Sequence, residues 1–169
     1  MEPGSIDALA AVAAGAHKPA QGCNLIKADL EAGPMVQISN LAFLIKNLVR
    51  QRGMARLGGP ALLTGTGMAL PWAQFASADI ASDNIVEDLA LGVTLTRHGH
   101  TPVFVEAASV SSAAASEGDT LVQRTRWEHG FVQTAVRQAF PLVAQGLTGL
   151  SRPLLLLGLH LLVPPLALL

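Results

Sequence analysis

The sequence predicts a mixed α/β domain that ends in an apolar C-terminal segment, and three observations predict it. Apolar positions recur at helical spacing over residues 35–52. Short apolar runs at 61–64 and 102–106 are bounded by Gly and Pro and read as strands. Residues 153–169, PLLLLGLHLLVPPLALL, contain no Asp, Glu, Lys or Arg.

At 169 residues the chain has the length of one domain. Half of it is hydrophobic by residue type and only 14% is charged, against about 25% in an ordinary soluble domain. With a mean hydropathy of +0.42, this composition excludes intrinsic disorder and points to contact with lipid. A net charge of −1, two Trp, five Phe and no Tyr leave neither a basic footprint nor a stacking platform, so nucleic acid is not an expected partner. The single cysteine, Cys23, excludes an intrachain disulfide and a cysteine-based zinc cluster. Glu2 stands where a secretory leader carries basic residues, and no leader is expected there.

In chain order, Ser5 is placed to cap a short Ala-rich helix that reaches residue 14, and residues 19–27 form a strand. In the helix over 35–52, Ile38, Leu41, Ala42, Ile45, Leu48 and Val49 share the apolar spacing. Lys46, Arg50 and Arg52 fall in its last turns, and Gly53 is the expected residue beyond its end. The strand at 61–64 runs into the turn Gly65-Thr66-Gly67. Asn84 and Glu87 have the spacing of a capping box, which starts a helix near 84 that closes at Gly99 and puts Asp88 in its first turn. After the strand at 102–106, the Ser/Ala-rich stretch 109–118 reads as a loop, and a helix runs from Thr120 to Phe140. The apolar run 153–169 is expected to open a membrane-spanning or interfacial helix with Arg152 at the headgroups. A buried C-terminal helix is the alternative. The chain thus divides into residues 1–150 and 151–169.

Three features can carry chemistry. The turn Gly65-Thr66-Gly67 lacks the Lys-Ser/Thr of a phosphate loop, but missing side chains let a sugar-sized ligand approach its backbone. Glu87 and Asp88 ordinarily complement a helix dipole, while an ionised carboxylate in a cleft can take a proton from a hydroxyl. Gln123, Arg126 and Trp127 lie at i, i+3 and i+4, one helix face carrying a polar, a cationic and an aromatic group suited to phosphate oxygens and a pyranose ring. His98 and His100 flank Gly99 without a third ligand and make a poor metal site.

Taken in order, TGTGM at 64–68, IVEDLALGVTLTRHGH at 85–100, FVEAASV at 104–110 and QRTRWEHG at 123–130 resemble the family 2 glycosyltransferases, especially the membrane-bound, cellulose-synthase-like group. The resemblance implies a GT-A-type, Rossmann-like fold and inverting transfer of a sugar from a nucleotide diphosphate donor to the hydroxyl of a carbohydrate or lipid acceptor. Asp88 would be the general base. Glu87 and the turn Gly65-Thr66-Gly67 would line the substrate, Gln123 and Arg126 would hold the diphosphate, and Trp127 would face the acceptor. The acid motif departs from the family's Thr-Glu-Asp in having Val86 first.

The family's Asp-x-Asp motif, which holds Mg²⁺ or Mn²⁺, does not occur in the sequence. The expectation is therefore the second half of a catalytic domain plus a membrane-helix stub, inactive alone and carrying no cofactor of its own. Its parent would use the metal and work at the cytoplasmic face of the cytoplasmic membrane. The rival is a non-catalytic, membrane-associated interaction module.

Overall fold

The computed structural model describes residues 1–27, 31–77, 87–112 and 117–164, with the side chains of 117–129 outside the description. Helix α1 (Ser5–Ala10) continues as a π-helical turn over Ala11–Gly15 and leads into strand β1 (Ala20–Ile26). Helix α2 (Pro34–Leu44), a π-helical turn (Ile45–Val49) and α3 (Arg50–Arg56) follow one another without a break. Strand β2 (Met68–Ala69), α4 (Trp72–Ser77), α5 (Glu87–Arg97), β3 (Val103–Ser112), α6 (Glu117–Thr148) and α7 (Arg152–Leu161) complete the order.

β1 is the middle strand of a three-stranded sheet, antiparallel to β2 and parallel to β3. Its partnership with β3 shifts register between Gly22, which faces Val105, and Cys23, which faces Ser109. Residues 106–108 bulge there because β3 closes on β1: a Cβ on Gly22 would lie 2.8 Å from the Ala108 carbonyl oxygen. The bulge leaves Glu106 exposed, where it pairs with Arg52 of α3.

Several expectations change here. Ser5 does not cap α1 but is its first residue, fully buried, with Oγ accepting from the Ser109 N–H at 3.0 Å and donating to the Ser109 carbonyl at 3.2 Å. The stretch expected as a loop from 109 is strand to Ser112, because pairing with Cys23 through Ile26 overrides the weak strand preference of serine and alanine. Gly53 does not end its helix: burial of Gln51 and Met54 carries it a turn further, to Gly58 with φ +67°. Residues 61–64 belong to no strand although Ala61, Leu62 and Leu63 are buried. The long helix α6 starts before Thr120 and passes Phe140 and Pro141 to Thr148, with Leu142 buried beyond the expected end.

The main core lies between α5, α6, α7 and the segment before the glycine turn, with Leu62, Leu89, Val93, Phe131, Leu142, Leu157 and Leu161 in contact. A second cluster, Leu63, Leu91 and Leu95, packs with Met68 and Leu70. Leu62 and Leu63 thus face different cores, as consecutive residues of a strand would.

The apolar C-terminal run is not a membrane-spanning helix in the described residues, none of whose helices is long and apolar enough to cross a bilayer. Helix α7 opens with Arg152 and Pro153 and ends at Leu161, ten residues that reach about 15 Å, half of a hydrocarbon core. Its Leu157, His160 and Leu161 are buried, and its contacts are made chiefly with α6. The run is used for a helix hairpin, the alternative reading; residues 165–169 lie outside the described residues.

Candidate active site

The site begins with α5. Its first turn leaves backbone N–H groups without helical partners, and Asp88 supplies an acceptor: Oδ1 takes the Leu89 N–H at 2.8 Å. Leu89 and Val93 bury into the main core while Leu91 and Leu95 bury into the second. Anchored on both flanks, α5 holds Asp88 in a fixed place. Glu87 is exposed beside it, and Asn84 and Val86 lie outside the described residues.

The glycine turn supplies the opposite wall. Gly65 and Gly67 have φ of +71° and +66°, values that an L side chain would strain. A Cβ on Gly65 would stand 3.3 Å from Asp88 Oδ2. Since Oδ1 is engaged by the helix start, Oδ2 is the carboxylate oxygen presented to the turn. Gly65 and Thr66 are exposed, so this meeting of turn and acid is open to a ligand. The structure therefore brings Asp88 together with the turn, whose residues lie more than 20 positions earlier in the chain.

Burial pushes the Asp88 carboxyl above its ordinary value of 3.8, against the opposing pull of the Leu89 N–H and of Lys46. A helix start by itself favours the ionised carboxylate and so weakens its basicity; desolvation outweighs that effect and strengthens it. Lys46 is a group the sequence reading treated only as a helix-end cation. It sits half-buried in the π-helical turn, its ammonium shifted down by burial while the Asp88 carboxylate holds it up. Lys46 acts on Asp88 as a nearby charge, through space.

Behind Lys46, Arg50 Nη2 donates to the carbonyls of His160 at 2.9 Å and Val163 at 3.1 Å, tying α3 to the end of α7. His160 is 6% exposed and its Nε2 has no hydrogen-bond partner among the described residues. Burial, then the Arg50 and Lys46 charges, lower its pKa from 6.5 to about 3. The folded protein thus refuses a proton that the unfolded chain accepts below about pH 6.5. The stability this contributes is complete above that value and is lost as the pH falls toward 3. Urea unfolding is expected to show a loss of about 2 kcal/mol between about pH 7 and about pH 5. Asp88, whose folded pKa is raised, works in the opposite sense at lower pH, so the comparison that isolates the histidine is with His160→Leu. That variant should lose the decline, and an unchanged profile would refute the assignment.

Gln123, Arg126 and Trp127 lie on α6, and their side chains fall outside the described residues. Gln21 and Gln51, both buried, were not singled out by sequence reasoning. Gln51 exchanges two hydrogen bonds with the Leu62 backbone, and Gln21 binds Thr64 and Thr66 on either side of Gly65. A single buried glutamine, on a strand as Gln21 or in a helix as Gln51, leaves no motif to detect.

Among the described residues no three of His, Cys, Asp and Glu converge on a point where a metal could bind. The described residues therefore assemble no ligand set that fits a divalent cation.

Residues 6–169 match the family described as Glycosyl transferase family group 2. Comparisons with curated proteins and with solved structures gave no match. The mixed α/β architecture with its small sheet fits a partial GT-A-like domain. A family match over nearly the whole chain settles its kinship: the chain belongs to glycosyl transferase family group 2.

Proposed function

We propose that this chain carries the acceptor-activating part of an inverting glycosyltransferase, with Asp88 as general base. The observation that supports this reading best is the placement of Asp88: one oxygen fixed by the Leu89 N–H, the other facing the open glycine turn, and burial raising its affinity for a proton. Oδ2 takes the proton of the acceptor hydroxyl as that oxygen attacks the anomeric carbon. The new C–O bond forms while the bond to the nucleoside diphosphate breaks, and the electron pair leaves with the diphosphate. Attack from the face opposite the leaving group inverts the anomeric centre. Glu87 and the turn Gly65-Thr66-Gly67 line the sugar, Gln123 and Arg126 hold the diphosphate, and Trp127 faces the acceptor.

The sequence contains no Asp-x-Asp. We therefore assign turnover to a parent enzyme in which donor-binding residues and Mg²⁺ or Mn²⁺ complete the site, the 169 residues alone being inactive. A carbohydrate or lipid acceptor and the cytoplasmic face of the cytoplasmic membrane complete the proposal. A lipid-facing setting is supported by α2, whose Met35, Ile38 and Leu41 are 63%, 58% and 57% exposed at three-residue spacing. The stretch 34–60 contains Lys46, Arg50, Arg52 and Arg56 and no acidic residue.

The test is the anomeric configuration of the product made by the parent enzyme from a nucleotide-diphosphate sugar, read by NMR. Inversion is expected, and a retained configuration would overturn the base assignment in favour of a covalent route.

A further inference from the structure

We infer that Gln21 is a positioning residue for the Asp88 site, setting the glycine turn at the distance from Asp88 that the acceptor requires. The inference rests on the role proposed for Asp88. Residues 61–67 approach α5 without a strand ladder between 61 and 64, and two buried side-chain amides replace it. Gln51, 2% exposed, donates to the Leu62 carbonyl at 2.8 Å and accepts the Leu62 N–H at 3.1 Å. Gln21, fully buried, reaches further along the same segment. Its Oε1 accepts the Thr64 N–H at 2.9 Å, and its Nε2 donates to the carbonyls of Thr66 and of Gly22, each at 2.9 Å.

One amide therefore holds the residues immediately before and after Gly65, the residue that stands over Asp88 Oδ2. The strand beneath is fixed too: the Gln21 backbone pairs with Met68 of β2 and Phe104 of β3, and the neighbouring Gly22 N–H donates to Gly67 at 2.7 Å. The sheet thus carries the position of β1 through a single side chain to the turn. The requirement is chemically narrow. One acceptor and two donors are needed on a fully buried side chain, which an amide has and a carboxylate or thioether lacks. Gln51 makes the same kind of clamp at Leu62, three residues before the turn, and serves as the internal control.

The experiment compares Gln21→Met with Gln51→Met, using urea unfolding and the ¹³C titration of the Asp88 carboxyl in the 169-residue chain, with kcat and KM measured in the parent enzyme. Both variants should lose stability. Only Gln21→Met should shift the Asp88 titration, and it should lower kcat about tenfold or more with donor KM little changed, since a small misplacement of reacting groups suffices for that. A third variant, Gln21→Glu, guards against failure to fold: its carboxyl regains a donor when protonated, so the Gly65 amide resonance should return toward its wild-type position as the pH is lowered. Equal shifts of Asp88 in the two methionine variants, no shift in either, or no recovery in Gln21→Glu would overturn the inference. Normal turnover in Asp88→Asn with a Gln21-dependent Asp88 titration would instead refute the proposed function and leave the positioning intact.

Discussion

Asp88→Asn in the parent enzyme is expected to lower kcat by about 10²- to 10⁴-fold, the range a general base supplies, with donor affinity unchanged. Asparagine keeps the shape and can still accept the Leu89 N–H through its amide oxygen, so α5 should start as before. What it lacks is a lone pair able to take the acceptor proton. The fold should not suffer. Burial already disfavours the charged form of Asp88, so a neutral residue of the same size is expected to leave stability equal or higher. Lost turnover with undiminished stability separates chemistry from folding. Near-normal turnover would remove Asp88 from the role.

Gly146→Ala is expected to cost about 3 kcal/mol or more, at the upper end of overpacking penalties. A Cβ at 146 would lie 2.4 Å from the Leu155 backbone nitrogen and 2.6 Å from its Cα, and neither atom can move without moving α7. Gly158 answers from the other helix, where a Cβ would meet the Val143 nitrogen at 2.8 Å and the Ala139 carbonyl oxygen at 2.9 Å. The two glycines let the backbones of α6 and α7 approach closely enough to bury Leu142, Leu157 and Leu161. Forcing them apart opens the main core, which also anchors Leu89 beside the acid. Gly53→Ala provides the contrast: a Cβ there meets nothing within 4 Å in an exposed helical position, and a gain of about 0.5–1 kcal/mol is expected. Chemical denaturation of the two variants checks both, and an unperturbed Gly146→Ala would contradict the close packing.

The elements that sequence revealed are those whose signals are local. The helix through Leu41, Ile45 and Leu48 is visible because its apolar period is its own, and the helix carrying Glu87 and Asp88 closes at Gly99, φ +83°, as its composition implies. Elements defined by distant partners were hidden. Ser109 to Ser112 look like a loop until β1 is laid beside them, and residues 61–64 look like a strand although side chains from Gln21 and Gln51 do the pairing. The apolar run after Arg152 reads as lipid-facing because sequence does not reveal that Gly146 and Gly158 admit a helix partner.

The same division holds at the candidate site. Asp88 and the glycine turn were legible as motifs, and their meeting, so close that a Cβ on Gly65 would stand 3.3 Å from Asp88 Oδ2, is a tertiary fact. The rise in basicity was not legible, because the helix start argues for the reverse and only burial decides the sign. Lys46 gave no warning either: a cation in the last turns of a helix has an ordinary explanation, and its bearing on Asp88 appears only once α5 is in place.

The central claim is that a desolvated carboxylate at position 88 removes the acceptor proton. The most direct measurement is the pH dependence of kcat/KM for transfer by the parent enzyme, carried into the acid range. The account predicts an acid limb whose midpoint lies above 3.8, the ordinary value for this side chain. Activity that persists unchanged through the protonation of Asp88, or a limb at or below 3.8, would contradict it.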